Sequence, residues 1–148
     1  MKQSILIAAI IVAVFIASLF FRIPLANAGV DGVNIRVVDG DTVDIDGVRV
    51  RVLPIDTPET WEPRCAAELD LGLKAKDRLK QLLAGVTVTY EIDVKAGRDP
   101  YRRTLARVYA DGKDVGEILM AEGLAVKWAP GAKAKAARLR LWCPNGAE

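Results

Sequence analysis

The sequence predicts an α+β fold: a five-stranded β-barrel with three α-helices, preceded by an N-terminal hydrophobic export segment. Five short runs alternate apolar and polar residues, which is the period of a β-strand with one buried face. A longer run with helical spacing interrupts these strands, and two further helical runs follow them. The third observation is the apolar character of residues 1–28, whose composition differs from that of the rest.

The composition limits the chemistry that this chain can perform. Its 148 residues are 51% hydrophobic and 27% charged, values that fit one globular domain and exclude a disordered chain. The sequence contains no histidine. Histidine-dependent triads, histidine metal sites and imidazole proton transfer are therefore excluded. Any chemistry must use carboxylates, guanidinium groups, hydroxyls, thiols or a hard cation.

The N-terminal segment has the features of an export signal. Residues 4–21 carry no charge, Lys2 precedes them, and Ala26 and Ala28 are the small residues that a signal peptidase reads. We therefore expect residues 1–28 to be a signal peptide and residues 29–148 to be a periplasmic or secreted domain. The alternative is an uncleaved membrane anchor, since this apolar run just reaches the length of a spanning helix.

Charge is distributed unevenly along the rest of the chain. Residues 31–70 hold ten acids and four arginines, a net charge of −6, whereas residues 95–140 hold eleven bases and five acids, a net charge of +6. This polarity suits a site that binds a cation and a polyanion together. Ordinary solvated surface charge would give the same counts.

The clearest local element is a hairpin over residues 42–55. Asp46 and Gly47 separate two alternating runs and supply the positive φ that a tight turn needs. Strict alternation across this turn places Asp41 and Arg51 on opposite faces of the sheet. Only a bulge, for example near Pro54, or strong coiling would bring them together.

The remaining elements follow the same two periodicities, and their order is typical of the five-stranded OB-fold. Glycines stop the first two helical runs, as they commonly do after a C-terminal turn. The expected strands lie at residues 33–38, 86–92 and 101–110, and the expected helices at residues 69–84, 115–122 and 133–142.

The two cysteines, Cys65 and Cys143, adjoin helical segments. Export would make a disulfide between them feasible, and an even count suits it. Two buried free thiols are the alternative.

Two acidic motifs are candidates for a functional site. Asp39 and Asp41 flank a glycine, an arrangement that serves either as an ordinary turn or as oxygen ligands for Ca²⁺ or Mg²⁺. In the second motif a proline follows Thr57, so the Thr57 carbonyl could be aimed at an ion. Asp56 and Glu59 in this motif could instead form a helix-capping box.

Arginines supply the third element of the candidate site. Arg51 and Arg103 lie in expected strands, and each guanidinium could hold a phosphate with two hydrogen bonds or simply face solvent. Arg102 and the adjacent Tyr101 could together bind a nucleic-acid backbone and a base. With the acids and no histidine, this set suits cation-assisted attack on a phosphodiester.

Three separated segments carry a resemblance to a known family. Residues 38–42, Arg51 with residues 56–60, and residues 101–112 resemble in order and spacing the staphylococcal nuclease family. The resemblance covers about residues 34–142. It implies an OB-fold barrel with three helices and a Ca²⁺-dependent endonuclease that acts on DNA and RNA, leaving 5′-hydroxyl and 3′-phosphate ends. The sequence gives no signal for an oligomer, so we expect a monomer.

The resemblance also assigns roles to individual residues. It implies that Asp41, Asp56 and the carbonyl of Thr57 bind calcium, and that Glu59 is the general base or positions the attacking water. It implies that Arg51 and Arg103 bind phosphate. It also implies that Asp39 is a nearby acid that supports the metal site and that Tyr101 contacts a phosphate. The sequence departs from the family pattern at Pro100, where the family has lysine, and at Arg102, where it has glycine.

Two other classes of function share parts of this pattern. A non-catalytic OB-fold module would bind nucleic acid without cleaving it, and such modules usually lack the acids or the arginines. A calcium-binding structural domain would bind calcium and show no affinity for nucleotides. A membrane partner is expected only if the N-terminal segment stays uncleaved.

Overall fold

The structure, a computed structural model, describes residues 33–146. The expected signal peptide or anchor at residues 1–28 lies outside this range. Within it, no helix has both the length and the apolar character needed to cross a bilayer. In chain order the elements are β1 (Ile35–Asp39), β2 (Thr42–Ile45), β3 (Val48–Val52), β4 (Ile55–Asp56), α1 (Ala66–Leu83), β5 (Val88–Ile92), β6 (Thr104–Ala110), β7 (Lys113–Asp114), α2 (Val115–Ala121), β8 (Val126–Lys127) and α3 (Ala132–Trp142).

The main sheet has six strands rather than the expected five, because a short strand, β7, pairs with β6, and the predicted α+β character is confirmed. Its order is β1-β2-β3-β6-β5, with the short β7 paired to β6, and β4 pairs separately with β8. The pairing of β3 with β6 is parallel, and the other pairings are antiparallel. This arrangement is consistent with an OB-like fold.

The strand and helix bounds differ from the prediction, most of all at three places. The second arm of the hairpin stops at Val52 and resumes as β4 after a turn at Leu53 and Pro54, since proline has no N–H for a continued ladder. The strand expected from Tyr101 begins only at Thr104. Helix α1 begins at Ala66 because the sulfur of Cys65 accepts a hydrogen bond from the Glu68 backbone N–H.

The apolar core lies between the inner face of the sheet and α1. Alternate residues of β6 are buried, as expected for a strand with one face on the core. The buried set includes Val43, Val50, Val52, Ile55, Leu79, Val108, Val115 and Leu119. A packed core of this kind fixes the strand ends from which the candidate site residues project.

The turn between β1 and β2 removes the expected conflict between Asp41 and Arg51. Asp41 lies in that turn, outside the alternation of β2, and its carbonyl accepts a 2.9 Å hydrogen bond from the Val52 N–H. The register in which β1 pairs with β2 shifts between Val37 and Asp39. The prediction that Asp41 and Arg51 lie on opposite faces of the sheet was therefore wrong. The irregularity of the sheet lies in β1 rather than near Pro54.

A disulfide between Cys65 and Cys143 ties the start of α1 to the end of α3, with the two Cα atoms 5.9 Å apart. Cys65 caps the first helix and Cys143 caps the last. The alternative of two free thiols does not hold. The C-terminal helix is thereby fixed beside the loop that carries Glu59.

Candidate active site

The guanidinium of Arg51 lies between two carboxylates. Its Nη1 is 2.7 Å from Asp41 Oδ2, and its Nη2 donates to Asp56 Oδ1. The side chains of Arg51 and Asp41 are only 13% and 7% exposed. Arg51 therefore does not lie on a solvated sheet face, and the two carboxylates share one buried cation.

A second arginine reaches the other oxygen of Asp56. The Nε of Arg138, on α3, lies 2.6 Å from Asp56 Oδ2. The Nη1 of Arg138 also donates a 3.0 Å hydrogen bond to the carbonyl of Ala129. Both oxygens of Asp56 are thus held by arginines from different parts of the chain.

Arg103 joins the same network through a threonine. Its Nη1 donates to Thr42 Oγ1 at 3.0 Å, and that hydroxyl donates to Asp41 Oδ1 at 3.0 Å. On its other side Arg103 Nε lies 2.7 Å from Asp99 Oδ2, and its guanidinium lies 5.3 Å from the ring centre of Tyr101. Arg103 and Arg51 therefore lie on either side of one buried carboxylate.

The loop at residues 57–60 brings Glu59 to this network and packs against α1. A Cβ on Gly72 would lie 2.7 Å from the Pro58 carbonyl oxygen, closer than real Cβ atoms come to their neighbours. The Oγ1 of Thr60 donates to Asp39 Oδ1 at 3.1 Å. The loop contains no helix, so the capping-box interpretation of Asp56 and Glu59 was wrong.

The electrostatic environment raises the pKa of two of these acids. Burial raises the pKa of Asp41, and the positive charge of Arg51 opposes that shift. The pKa of Glu59 is raised by partial desolvation and by the negative charges of Asp39, Asp41, Asp56 and Glu68. Glu59 is itself exposed to solvent. The neighbouring negative charges disfavour a further negative charge on its carboxyl group.

The residues fit a hard cation by the chemistry of their donors. Asp41 and Asp56 supply carboxylate oxygens, and the positively charged guanidinium of Arg51 lies between them and contacts both. The Thr57 N–H, at 3.4 Å, points to Asp41 Oδ2, which places the Thr57 backbone at the same cluster. Within residues 33–146 no three acidic or cysteine side chains converge as a complete metal cage. Water and substrate oxygens would have to complete any coordination sphere.

A comparison with known protein families shows which family this chain belongs to. The model of the staphylococcal nuclease homologue family matches residues 49–143, which include Arg51, Asp56, Glu59 and Arg103. The chain belongs to the staphylococcal nuclease family.

Curated relatives in the staphylococcal nuclease family agree with this assignment. The SPbeta prophage-derived endonuclease YokF of Bacillus subtilis (strain 168) is 38% identical over 129 residues, covering 75% of this chain and 43% of that protein. Endonuclease YncB of the same strain is 36% identical over 129 residues, covering 75% and 61%. The thermonuclease of Staphylococcus hyicus is 37% identical over 129 residues, covering 78% and 75%. The chain thus spans about half the length of the first two relatives.

Tyr101 and Arg102, the two residues that the sequence suggested for substrate binding, lie at the exposed edge of this network. Tyr101 is 80% exposed, with its ring centre 5.3 Å from the Arg103 guanidinium, and Arg102 is exposed with a φ of +63°. Glu59 is exposed on the loop that follows Thr57. The role of Tyr101 stays a prediction from the family resemblance, and that of Arg102 stays a prediction from the sequence alone, since the family pattern has glycine there.

Sequence reasoning missed four residues that shape the site. The i,i+4 spacing of Asp99 and Arg103 was a usable signal, since β6 begins directly after them. Arg138 and Thr42 had no local signal, because each contact crosses between elements far apart in sequence. Gly72 could be recognised only once the loop against α1 was known.

Proposed function

We propose that this protein is an exported, Ca²⁺-dependent endonuclease that hydrolyses phosphodiester bonds of DNA and RNA. The observation that carries the proposal is the convergence of Asp41, Asp56 and Arg51 in one buried cluster. Two largely shielded carboxylates, 7% and 18% exposed, that share one guanidinium carry a desolvation cost, and a ligand that uses them would offset it. Membership in the staphylococcal nuclease family supports the same activity.

Asp41, Asp56 and the Thr57 carbonyl would hold the calcium ion. A bound calcium ion would neutralise charge on the scissile phosphate. The carboxylates must be ionised to serve as ligands, and Arg51 pairs with both of them in the structure. To donate to a phosphate, Arg51 must release at least one of these carboxylates.

Glu59 is the general base, or positions the attacking water, in this proposal. Its carboxylate accepts a proton as the water oxygen bonds to phosphorus, and the bond from phosphorus to the 5′ oxygen breaks. The leaving 5′ oxygen takes a proton from solvent water. The products are a 3′-phosphate and a 5′-hydroxyl, and no covalent enzyme intermediate is required.

Arg51 and Arg103 stabilise the transition state. Each guanidinium can donate two hydrogen bonds to the equatorial phosphate oxygens, where negative charge accumulates. Their present partners, Asp41 and Asp99, hold them near the network before substrate arrives.

The direct test is cleavage of end-labelled single-stranded DNA and RNA by the full-length protein, with calcium and with a calcium chelator. The proposal expects cleavage only with calcium, and products whose 5′ ends accept phosphate from a polynucleotide kinase. DNA binding without cleavage, measured by fluorescence anisotropy, would support the non-catalytic module instead. Cleavage that leaves 5′-phosphates would overturn the proposed bond order.

Export is a further part of this proposal. It is supported by the composition of residues 1–28 and by the disulfide, since disulfides persist in oxidising compartments. N-terminal sequencing of the protein recovered outside the cytoplasm tests it. A new N-terminus at Gly29 is expected, and an intact Met1 in the membrane fraction would indicate an anchor.

A further inference from the structure

Arg138 contacts the candidate site, and the function proposed above gives this contact no role. It lies on α3, more than eighty residues after Asp56, and its Nε is 2.6 Å from Asp56 Oδ2. Its side chain is 16% exposed, so the pair is shielded from most solvent. The contact is part of the buried network rather than a loose surface ion pair.

The position of Arg138 is fixed from two directions. Its Nη1 donates to the Ala129 carbonyl, in the segment before α3. The disulfide at Cys143 attaches the end of the same helix to Cys65. A guanidinium held in this way imposes an orientation on its partner carboxylate rather than following it.

The two oxygens of Asp56 are divided between two arginines. Oδ1 accepts from Arg51 on the side of Asp41, and Oδ2 accepts from Arg138 on the side of α3. If Arg51 turns to the substrate, Oδ1 becomes free while Oδ2 stays occupied. Asp56 then has one oxygen to offer a cation beside Asp41.

Calcium accepts carboxylates through one oxygen or through two. A second oxygen from Asp56 would strengthen binding of the ion and would occupy a ligand position otherwise open to water or substrate phosphate. The positive charge of Arg138 also opposes a cation at the same carboxylate. Both effects weaken calcium binding and keep the ion accessible to substrate.

We propose that Arg138 is a positioning residue that restricts Asp56 to one metal-facing oxygen. This inference rests on the proposed role of Asp56 as a calcium ligand. It predicts an unusual combination when Arg138 is removed: calcium binds more tightly while turnover becomes slower. Simple damage to the fold would lower both.

The test measures calcium affinity by titration calorimetry without substrate, and kcat and KM on single-stranded DNA, for full-length variants. In Arg138→Ala, calcium affinity is expected to rise about tenfold, because a like charge and a competing contact are lost. The kcat is expected to fall about tenfold with KM little changed. Arg138→Lys, which keeps the charge with a shorter reach, is expected to recover part of the kcat.

Arg140→Ala is the matched control. Arg140 lies on the same helix and is exposed, so its removal changes the net charge equally. It is expected to leave calcium affinity and kcat unchanged. An equal rise in calcium affinity in Arg138→Ala and Arg140→Ala would mean that the loss of any positive charge on this helix has the same effect. That result would overturn the inference. Weaker or unchanged calcium binding in Arg138→Ala, or a raised KM with unchanged kcat, would also overturn it.

Asp56→Asn separates this inference from the proposed function. If Asp56→Asn keeps both calcium binding and cleavage, Asp56 is not a ligand and the proposed site itself is wrong. If Asp56→Asn loses both while Arg138→Ala matches the wild type, only the role of Arg138 fails. Circular dichroism of each variant confirms that the comparison is made on folded protein.

Discussion

The Nη1 of Arg51 lies 2.7 Å from the buried carboxylate of Asp41. This guanidinium therefore stands between Asp41 and Asp56, where both carboxylates share its positive charge. In the proposed function a calcium ion would compete with Arg51 for the same carboxylates. That competition would link the stability of the fold to calcium.

Arg51→Ala tests this link through unfolding in urea, with calcium and with chelator. In chelator the free energy of unfolding is expected to fall by about 3 kcal/mol, because removing one partner leaves buried carboxylates unpaired. Calcium is expected to restore more stability to Arg51→Ala than it adds to the wild type, by binding only the folded state. An equal loss with and without calcium would show that calcium does not use these carboxylates.

Gly72→Ala tests the seating of the Glu59 loop on α1. The added Cβ would lie 2.7 Å from the Pro58 carbonyl oxygen and 3.1 Å from the Glu59 carbonyl oxygen, so the loop must shift. We expect kcat to fall by about tenfold or more, although alanine alone would favour the helix. Leu73→Ala, at the next and exposed position, is the control and should keep the wild-type rate. A normal rate in Gly72→Ala would mean that the position of the loop does not matter.

The fold could be predicted largely from the sequence because its signals are local. The Asp46-Gly47 turn set the register that pairs Asp44 with Arg49 and Val43 with Val50. The break at Leu53 and the late start of β6 were missed, since the alternating pattern continues through both. The site was predictable mainly where family motifs marked it. Contacts made across the fold, such as that of Arg138 with Asp56, leave no periodic signal.

Arg102 adopts a left-handed backbone conformation, with a φ of +63°. This conformation explains why the family pattern has glycine here, since only glycine adopts it without a steric cost. Arg102→Gly is expected to raise the free energy of unfolding by about 1 kcal/mol. Urea denaturation measures it, and Arg102→Ala is the control, because alanine removes the side chain without relieving the backbone.

The same pair of variants tests the predicted contact of Arg102 with substrate. If its guanidinium binds nucleic acid, both variants should raise KM for DNA several-fold, because one phosphate contact is lost. Unchanged KM in both would remove Arg102 from the substrate site. Equal stability of the glycine and alanine variants would show that the backbone conformation carries no cost.

Asp44 provides a prediction for acid stability. The hydrogen bond from Arg49 lowers the pKa of Asp44, slight burial opposes the shift, and Arg36 adds to the lowering. A carboxyl whose pKa is depressed by folding contributes stability above its unfolded pKa and loses it as the pH falls through the folded pKa. Because both arginines are largely exposed, the contribution should be only about 0.5–1 kcal/mol.

The measurement compares wild type with Asp44→Asn across pH. The wild type should be more stable above about pH 5, and the difference should shrink as the pH falls below about 4. Added salt should reduce the difference at neutral pH, because the pairs are at the surface. A difference that persists at pH 2 would mean that Asp44 stabilises the fold by something other than its charge.

The most direct test of the proposed chemistry is the cleavage rate of Glu59→Gln with saturating calcium. The substitution keeps the size and polarity of the side chain and removes its ability to accept a proton. Glu62→Gln, an exposed acid in the same segment, is the matched control. We predict that Glu59→Gln folds, binds DNA and calcium, and loses at least about a hundredfold in kcat, while Glu62→Gln keeps the wild-type rate. A wild-type rate in Glu59→Gln would contradict the account, because the reaction would then need no proton acceptor at this position.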